Sequence, residues 1–405
     1  MKVLHVTPFY EPAWKPGGVV RAVSQLCRGL AGLGVDVTVY ATNGSGDGWL
    51  DVPVNQLVSV GGVKVYYFQT ELPQVFRYCR ALREVCRRTI RNFDILHIAS
   101  FWNYPGIPAA MEARKQGIPY VISTHGTLVA YALRKGRLKK WLYMKAVEER
   151  NLRSAAAIHY TTKLEREAMS YLRLPNPTFV VPNGLDFREF DTLPERNIAR
   201  KCFGLPEDYF VMSYLGRLNK IKGLDILVQA FAKIARRFPE TLLLLAGPND
   251  GYEPALRKLV SQFGLYHQIR FVGPVNPEMR AHLLSATDLS LSLSLSETEN
   301  FCYAAVEAMA AGVPLMLSKH VGISREVEAD GAGVVVSPEV EAEASTLAEL
   351  LSQPARLKEM GKAARLSARK RYDIGVVARF MATAYEDILT GRRSPECKWL
   401  MEEGR

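Results

Sequence analysis

The feature that most constrains this chain is an alternation of short apolar runs with amphipathic stretches, and it occurs twice. In the first half "KVLHVT", "VDVTVYAT", "VKVYYF", "DILHIA", "PYVIST" and "AAIHYT" have the length and composition of strands buried in a parallel sheet. Between several of them lie helical periods such as "VVRAVSQLCRGLAGLG", in which Val23, Leu26, Cys27 and Leu30 share one face. The second half restarts the pattern with "YFVMSYLG", "TLLLLAG", "IRFVG", "LSLSLS", "VPLMLS" and "GVVV". Such alternation predicts an α/β chain with a doubly wound parallel sheet in each half. The Pro- and Gly-bearing stretch "VPNGLDFREFDTLPE", residues 181–195, predicts the hinge, and beyond residue 340 the sequence reads as almost wholly helical.

A length of 405 residues with 48% hydrophobic content exceeds what one core organises, so domains 1–185 and 186–371 with a polar tail 393–405 are expected. No run approaches the roughly 20 apolar residues that span a bilayer, and "MKVLHVTPFY" lacks the zones of a signal peptide. A cytoplasmic protein is expected. The six cysteines, Cys27, Cys79, Cys86, Cys202, Cys302 and Cys397, form no C-x-x-C pair and read as reduced, buried thiols.

The formal charge of +11 peaks in "FRYCRALREVCRRTIRN" and "LRKGRLKKWLYMKAVEERNLR". In the second, cations interleave with Trp141, Leu142, Tyr143 and Met144, the pattern of a helix lying on a membrane surface; a solvated helix face is the plainer alternative. No zinc-finger, RRM or bZIP signature accompanies the charge, so nucleic acid is not an expected partner.

Two loops are built to meet anions. Gly17 and Gly18 of "TPFYEPAWKPGGVVRA" precede a helix start, where backbone N–H groups and the helix dipole favour negative charge. The G-x-G-x-x-G spacing is absent and "VYATNG" ends without the acidic residue that holds an NAD ribose, which disfavours a nicotinamide enzyme. In "YLGRLNKIKGLDILVQAF", Arg217, Lys220 and Lys222 stand between a strand and a helix beginning near Leu224, at the sheet edge where doubly wound domains bind ligands. Arg and Lys there suit a diphosphate. The strand ends "LAGPND" and "FVGPVN", with Gly273 and Val275 in the latter, add backbone donors.

"SETENFCYAAVEAMAAG", residues 296–312, places Glu299 at a helix entrance and Glu307 among Ala304, Ala305, Val306, Ala308 and Met309. A helix beginning near Asn300 or Phe301 puts the two carboxylates about 10–12 Å apart along the axis. A nucleotide sugar has that layout: Glu299 on sugar hydroxyls, the helix start on the phosphates, Glu307 on ribose hydroxyls. Burying Glu307 among apolar residues is costly without such a partner. Glycosidase carboxylates flank one scissile bond at roughly 5–9.5 Å, whereas this pair is spaced to grip a long ligand.

With its two glutamates separated by seven residues, "SETENFCYAAVEAMAAGVP" resembles the E-x7-E motif of the retaining glycosyltransferases of family 4, of GT-B architecture. The resemblance extends in order through "GGVVRAV", "FDILHIAS", "PYVISTHGT", "VPNGLD", "GRLNKIKG", "LLLAGP" and "RFVGPV". It implies two Rossmann-like domains facing a central cleft: 1–185 for the acceptor, with a terminal helix 372–392 packing back onto it, and 186–371 for the donor. It implies that Arg217 and Lys222 bind the donor diphosphate and stabilise it as leaving group, that Glu307 holds the ribose and that Glu299 contacts the transferred sugar. The backbone of Asn300, Phe301 and Cys302 would cap the phosphates, His125 would stand near the reacting centre, and Gly18 would lie beside the phosphates. Many members carry Glu-Gly-Phe-Gly where this chain has Glu299, Asn300, Phe301 and Cys302, and a side chain at Cys302 crowds a close phosphate. The expected activity is a retaining, metal-independent hexosyltransferase without cofactor. Its donor would be a UDP- or GDP-sugar, and its acceptor a saccharide or lipid-linked saccharide of a surface polysaccharide or other glycan, met at the inner face of the cell membrane through the basic stretch 134–153. A donor-binding protein without efficient turnover, or a GT-B epimerase, would share these motifs.

Overall fold

The computed structural model describes residues 1–391 except 16, 47, 72–75, 100, 130–136 and 297–298. The tail 393–405, Cys397 and residues 134–136 of the basic stretch lie outside the described residues. The chain divides into two units, Met1–Gly184 with Ile374–Arg405, and Leu185–Asp373.

The first unit holds β1 (Lys2–Val6), β2 (Asp36–Thr42), β3 (Leu57–Val60), β4 (Val63–Phe68), β5 (Ile95–Ala99), β6 (Tyr120–Ser123), β7 (Ala157–Tyr160) and β8 (Thr178–Val180). They form one sheet in the order β3-β4-β2-β1-β5-β6-β7-β8. The six expected strands are there and pair in parallel; β3 and β8 are additions, and β3 runs antiparallel to β4. Gly61 and Gly62 join those two with φ of 57° and 82°, the left-handed pair that a two-residue hairpin requires. Successive strand residues serve opposite faces: Val3 belongs to the core under the helices Gly18–Gly32 and Ile374–Leu389, and Leu4 and Val6 to the core on the other face. Gly29 lets those two helices approach, because a Cβ there would lie 2.9 Å from Ile374 and 3.0 Å from Ala378.

The second unit holds β9 (Phe210–Leu215), β10 (Thr241–Ala246), β11 (Ile269–Gly273), β12 (Leu289–Ser292), β13 (Leu315–Ser318) and β14 (Gly333–Val336), all parallel in the order β11-β10-β9-β12-β13-β14. Its connections lead one way from β9 through β10 to β11 and the other way from β12 to β14, so the topological switch lies between β9 and β12. In the first unit the corresponding switch lies between β1 and β5. Crevices at the carboxyl ends of such strand pairs are where doubly wound sheets bind ligands. No described helix is long and apolar enough to cross a membrane.

Candidate active site

In the second unit the loops after β9 and β12 meet at the switch point. Ile221 accepts the Leu295 N–H at 2.8 Å and the Ser294 hydroxyl at 3.2 Å, which ties the turn Lys220–Lys222 to the segment beyond β12. Asn219 caps that turn through the Ile221 N–H at 3.1 Å. Gly223 then takes φ of 69°, and a Cβ there would strike the Leu293 carbonyl; the glycine permits both the turn and the approach.

These constraints deliver Lys222 onto Glu299, whose carboxylate its ammonium meets in an ion pair with both side chains 18% exposed. Burial draws the Lys222 ammonium below the ordinary lysine range, and Arg217 adds in the same sense. Arg217 itself is exposed and reaches Asp250 at 2.9 Å, which also accepts from Asn219 at 2.9 Å. Gly273, at the end of β11, has φ of 79° and its carbonyl accepts the Gly247 N–H at 2.8 Å, while Val275 is half-buried on the adjoining loop.

The helix carrying Glu307 spans Tyr303–Ala310, so it starts later than Asn300 or Phe301. Residues 299–302 are not helical, and the expected axial spacing from Glu299 to Glu307 does not hold. The reason lies in Cys302, whose φ of 55° is left-handed and breaks the helix before Tyr303. That conformation also explains the contrast with glycine at this place. The Cys302 thiol is buried, with Sγ 3.4 Å from the Ser292 hydroxyl, and Phe301 is buried against Tyr303 and Tyr372. Glu307 is 3% exposed, and its ion-pair partner is Arg280, with Nη1 2.7 Å from Oε1. Sequence reading missed Arg280: its helix, Pro277–Ala286, shows a clear start in Asn276 and Pro277, but spacing does not disclose a pairing made across the fold.

In the first unit Gly17, with φ of 91°, precedes the helix Gly18–Gly32 at the loop after β1, and both glycines are exposed. His125 follows β6 with φ of 44°, and burial pulls its imidazole below the ordinary range against the opposing Glu165 charge. Glu165, 3% exposed, accepts from the Gly126 N–H at 2.5 Å, the Thr124 hydroxyl at 2.7 Å and the Thr161 N–H at 2.8 Å, and so fixes the loop that carries His125. The signal for Glu165 stands in "TTKLE": Thr162 caps the helix Lys163–Ala168 by accepting the Glu165 N–H at 3.1 Å. His125 is not a lone histidine. It lines a small cavity with His5, His97 and His159, which are buried behind it. His97 Nδ1 bonds the Tyr385 hydroxyl at 2.6 Å, and His159 Nε2 the Val181 carbonyl at 2.7 Å.

Among the described residues no group of three or more His, Cys, Asp or Glu is placed to hold a metal ion. Of the described cysteines, Cys27, Cys79, Cys86 and Cys302 are buried thiols, whereas Cys202, the last residue of the helix Arg196–Cys202, is exposed. In the basic stretch, Trp141 and Leu142 are exposed and Tyr143 and Met144 half-buried.

Two doubly wound α/β units in one chain are the units of the GT-B fold. Residues 195–367 match the domain described as Glycosyl transferases group 1, and residues 17–184 match the Glycosyl transferase 4-like domain. The chain belongs to the group 1 glycosyltransferases. D-inositol 3-phosphate glycosyltransferase 2 of Catenulispora acidiphila is 27% identical over 383 residues, covering 89% of this chain and 88% of that protein. Among solved structures, sucrose-phosphate synthase from Thermosynechococcus elongatus superposes with a TM-score of 0.74 at 21% identity, covering 96% of this chain and 99% of that one. Anabaena Alr3699/HepE, solved in complex with UDP and glucose, gives 0.73 at 19% identity, covering 95% and 99%.

Proposed function

We propose that this glycosyltransferase moves a hexosyl group from a UDP- or GDP-sugar to a saccharide or lipid-linked saccharide, with retention at the anomeric carbon and without a metal ion or cofactor. The observation that carries the reading is the contact of Lys222 with Glu299 at the β9/β12 switch point. Its cation is largely buried and fixed by the Gly223 turn, which suits a diphosphate whose negative charge grows as it leaves. Glu299, neutralised by Lys222, is suited to accept from sugar hydroxyls rather than to attack the anomeric carbon. In the proposed step the bond from the anomeric carbon to the diphosphate oxygen breaks while the bond to the acceptor oxygen forms on the same face. The acceptor's proton passes to the departing phosphate oxygen, so no glycosyl–enzyme intermediate forms. Arg217 would exchange Asp250 for the diphosphate, and Glu307 would hold the ribose. Structural neighbours solved with UDP, UDP-glucose and UDP-2-fluoro glucose are consistent with such a donor.

The acceptor side belongs to the first unit in this reading, with the His125 loop nearest the chemistry and the described part of the stretch 134–153 lying against the inner face of the cell membrane. The test is thermal unfolding with UDP, GDP, ADP and dTDP, each with and without magnesium, on wild type and Glu307→Ala. A nucleotide at about 100 times its dissociation constant adds roughly 2.7 kcal/mol. Stabilisation by one nucleotide without magnesium, lost in the variant, supports the donor site; no response from any of them removes it. Anomeric configuration of the product, read by NMR, decides retention, and observed turnover separates the enzyme from a donor-binding protein.

A further inference from the structure

A groove of about 450 Å³ opens in the first unit between the helical stretch 137–153 and the segment 171–174. That size lies within the range of small-molecule sites. Its walls carry Trp141, Met144, Leu152 and Leu174, and its cations are Lys140, Lys145 and Arg153 against the single carboxylate of Glu149. Lys145 and Arg153 hold that carboxylate at 2.8 and 3.1 Å, and Lys140 stands 5.6 Å from the centre of the Trp102 ring. The groove therefore keeps a net positive charge beside an apolar wall.

Two further observations say what it is for. The apolar wall does not end at the rim: Trp141 lines the groove and is 55% exposed, and its neighbours Leu138 and Leu142 are 70% and 53% exposed. An apolar track thus runs from the groove out onto the protein surface, which a wholly water-soluble ligand would not need. Inside, two lining aromatics brace the backbone just beyond His125. Trp102 Nε1 donates to the Thr127 carbonyl at 3.2 Å, and the Tyr171 hydroxyl donates to the Leu128 carbonyl at 2.6 Å. Between the helical pieces, Met144–Glu148 form a π turn, a departure from α geometry common at functional sites, and it presents Met144 and Lys145 to the groove.

We propose that this groove receives the phosphate-bearing end of a membrane-borne acceptor, with the lipid chain lying along Trp141 and Leu142 into the bilayer and the phosphate on Lys140 and Lys145. The proposal rests on the glycosyltransferase reading and names its acceptor class as an anionic lipid. Occupancy would bear on Trp102 and Tyr171, and through them on the loop that holds His125.

The test uses the full chain, with geranylgeranyl diphosphate below its micelle-forming concentration as probe and inorganic pyrophosphate and geranylgeraniol as controls, by titration calorimetry. Trp141→Ala and Lys145→Ala alter exposed side chains and leave the fold alone. The expected result is saturable binding of the lipid diphosphate, weakened about tenfold or more in each variant, with both controls weaker still. Absence of binding, equal binding in the variants, or pyrophosphate binding as tightly as the lipid, which marks a soluble phosphate ligand, overturns it. Stabilisation by UDP or GDP, measured on the same three proteins, reads the donor site separately: a response to either while the lipid fails defeats the groove alone, and a response to neither defeats the donor reading.

Discussion

Arg280 reaches the buried Glu307 through Nη1 at 2.7 Å and Glu189 through Nη2 at 3.1 Å. One guanidinium therefore joins the proposed ribose ligand to the short turn Phe187–Phe190, which opens the second unit. Arg280→Ala takes the ion-pair partner from a carboxylate 3% exposed and is expected to cost about 3 kcal/mol. Glu307→Gln, which removes the charge, is expected to recover part of that loss in the double variant. Denaturant unfolding of the two single variants and the double variant measures the coupling, expected at about 1–3 kcal/mol.

Lys222→Ala is expected to lower kcat by about 10²- to 10³-fold with the fold retained, the effect typical of losing one electrostatic donor at a developing charge. Steady-state rates with circular dichroism check this; a kcat within a few-fold of wild type contradicts it.

At Cys302 glycine should outdo alanine. Both variants remove the thiol and its contact with Ser292, but only glycine relieves the left-handed φ of 55°. Cys302→Gly is expected to be about 1 kcal/mol more stable than Cys302→Ala, the reverse of the order inside a helix. Thermal midpoints of the pair suffice to decide it.

The two units should respond to pH with opposite signs. Burial pushes His5 and His159 down to about 3, and burial with the neighbouring imidazoles pushes His97 well below its ordinary range. The unfolded chain protonates these rings below about pH 6.5 and the folded chain does not, so the unfolded state binds more protons there. Stability of the first unit is complete above that pH and falls as pH drops from 6.5 toward 3, by up to about 1.4 kcal/mol per ring per pH unit. In the second unit, burial and the charge of Asp225 push Glu343 up to about 8. Here the folded state binds the extra proton, and stability is lost as pH rises from 4.5 toward 8. Glu343→Gln should raise the midpoint of the second unit at pH 8 and leave the acid limb of the first unchanged, as calorimetry between pH 5 and 8 would show.

The doubly wound plan was legible because strands buried on both faces are short apolar runs, and runs such as "TLLLLAG" and "DILHIA" recur between amphipathic helical periods. The β3/β4 hairpin was readable too, since Gly61 and Gly62 sit between two alternating runs, but β3 is half exposed and its Leu57 and Ser59 dilute the pattern. The helix start at Tyr303 was not legible. Asn300 is an ordinary cap residue by composition, and only the backbone shows that Cys302 takes the left-handed turn. Arg280 and the three histidines behind His125 were hidden for one reason. Each acts through a partner distant in sequence, and local spacing carries no trace of such a partner.

The helix Ile374–Leu389 belongs to the first unit although nearly two hundred residues of the second separate it from the rest. On the ribosome this reverses the order of completion. Residues 185–373 have all been synthesised before Val377, Met381 and Tyr385 exist to cover the face occupied by Val23, Cys27 and Leu30. The first unit is thus completed only after the second, and until the helix Ile374–Leu389 is made that face of the nascent chain stays open to water and to whatever chaperone meets it.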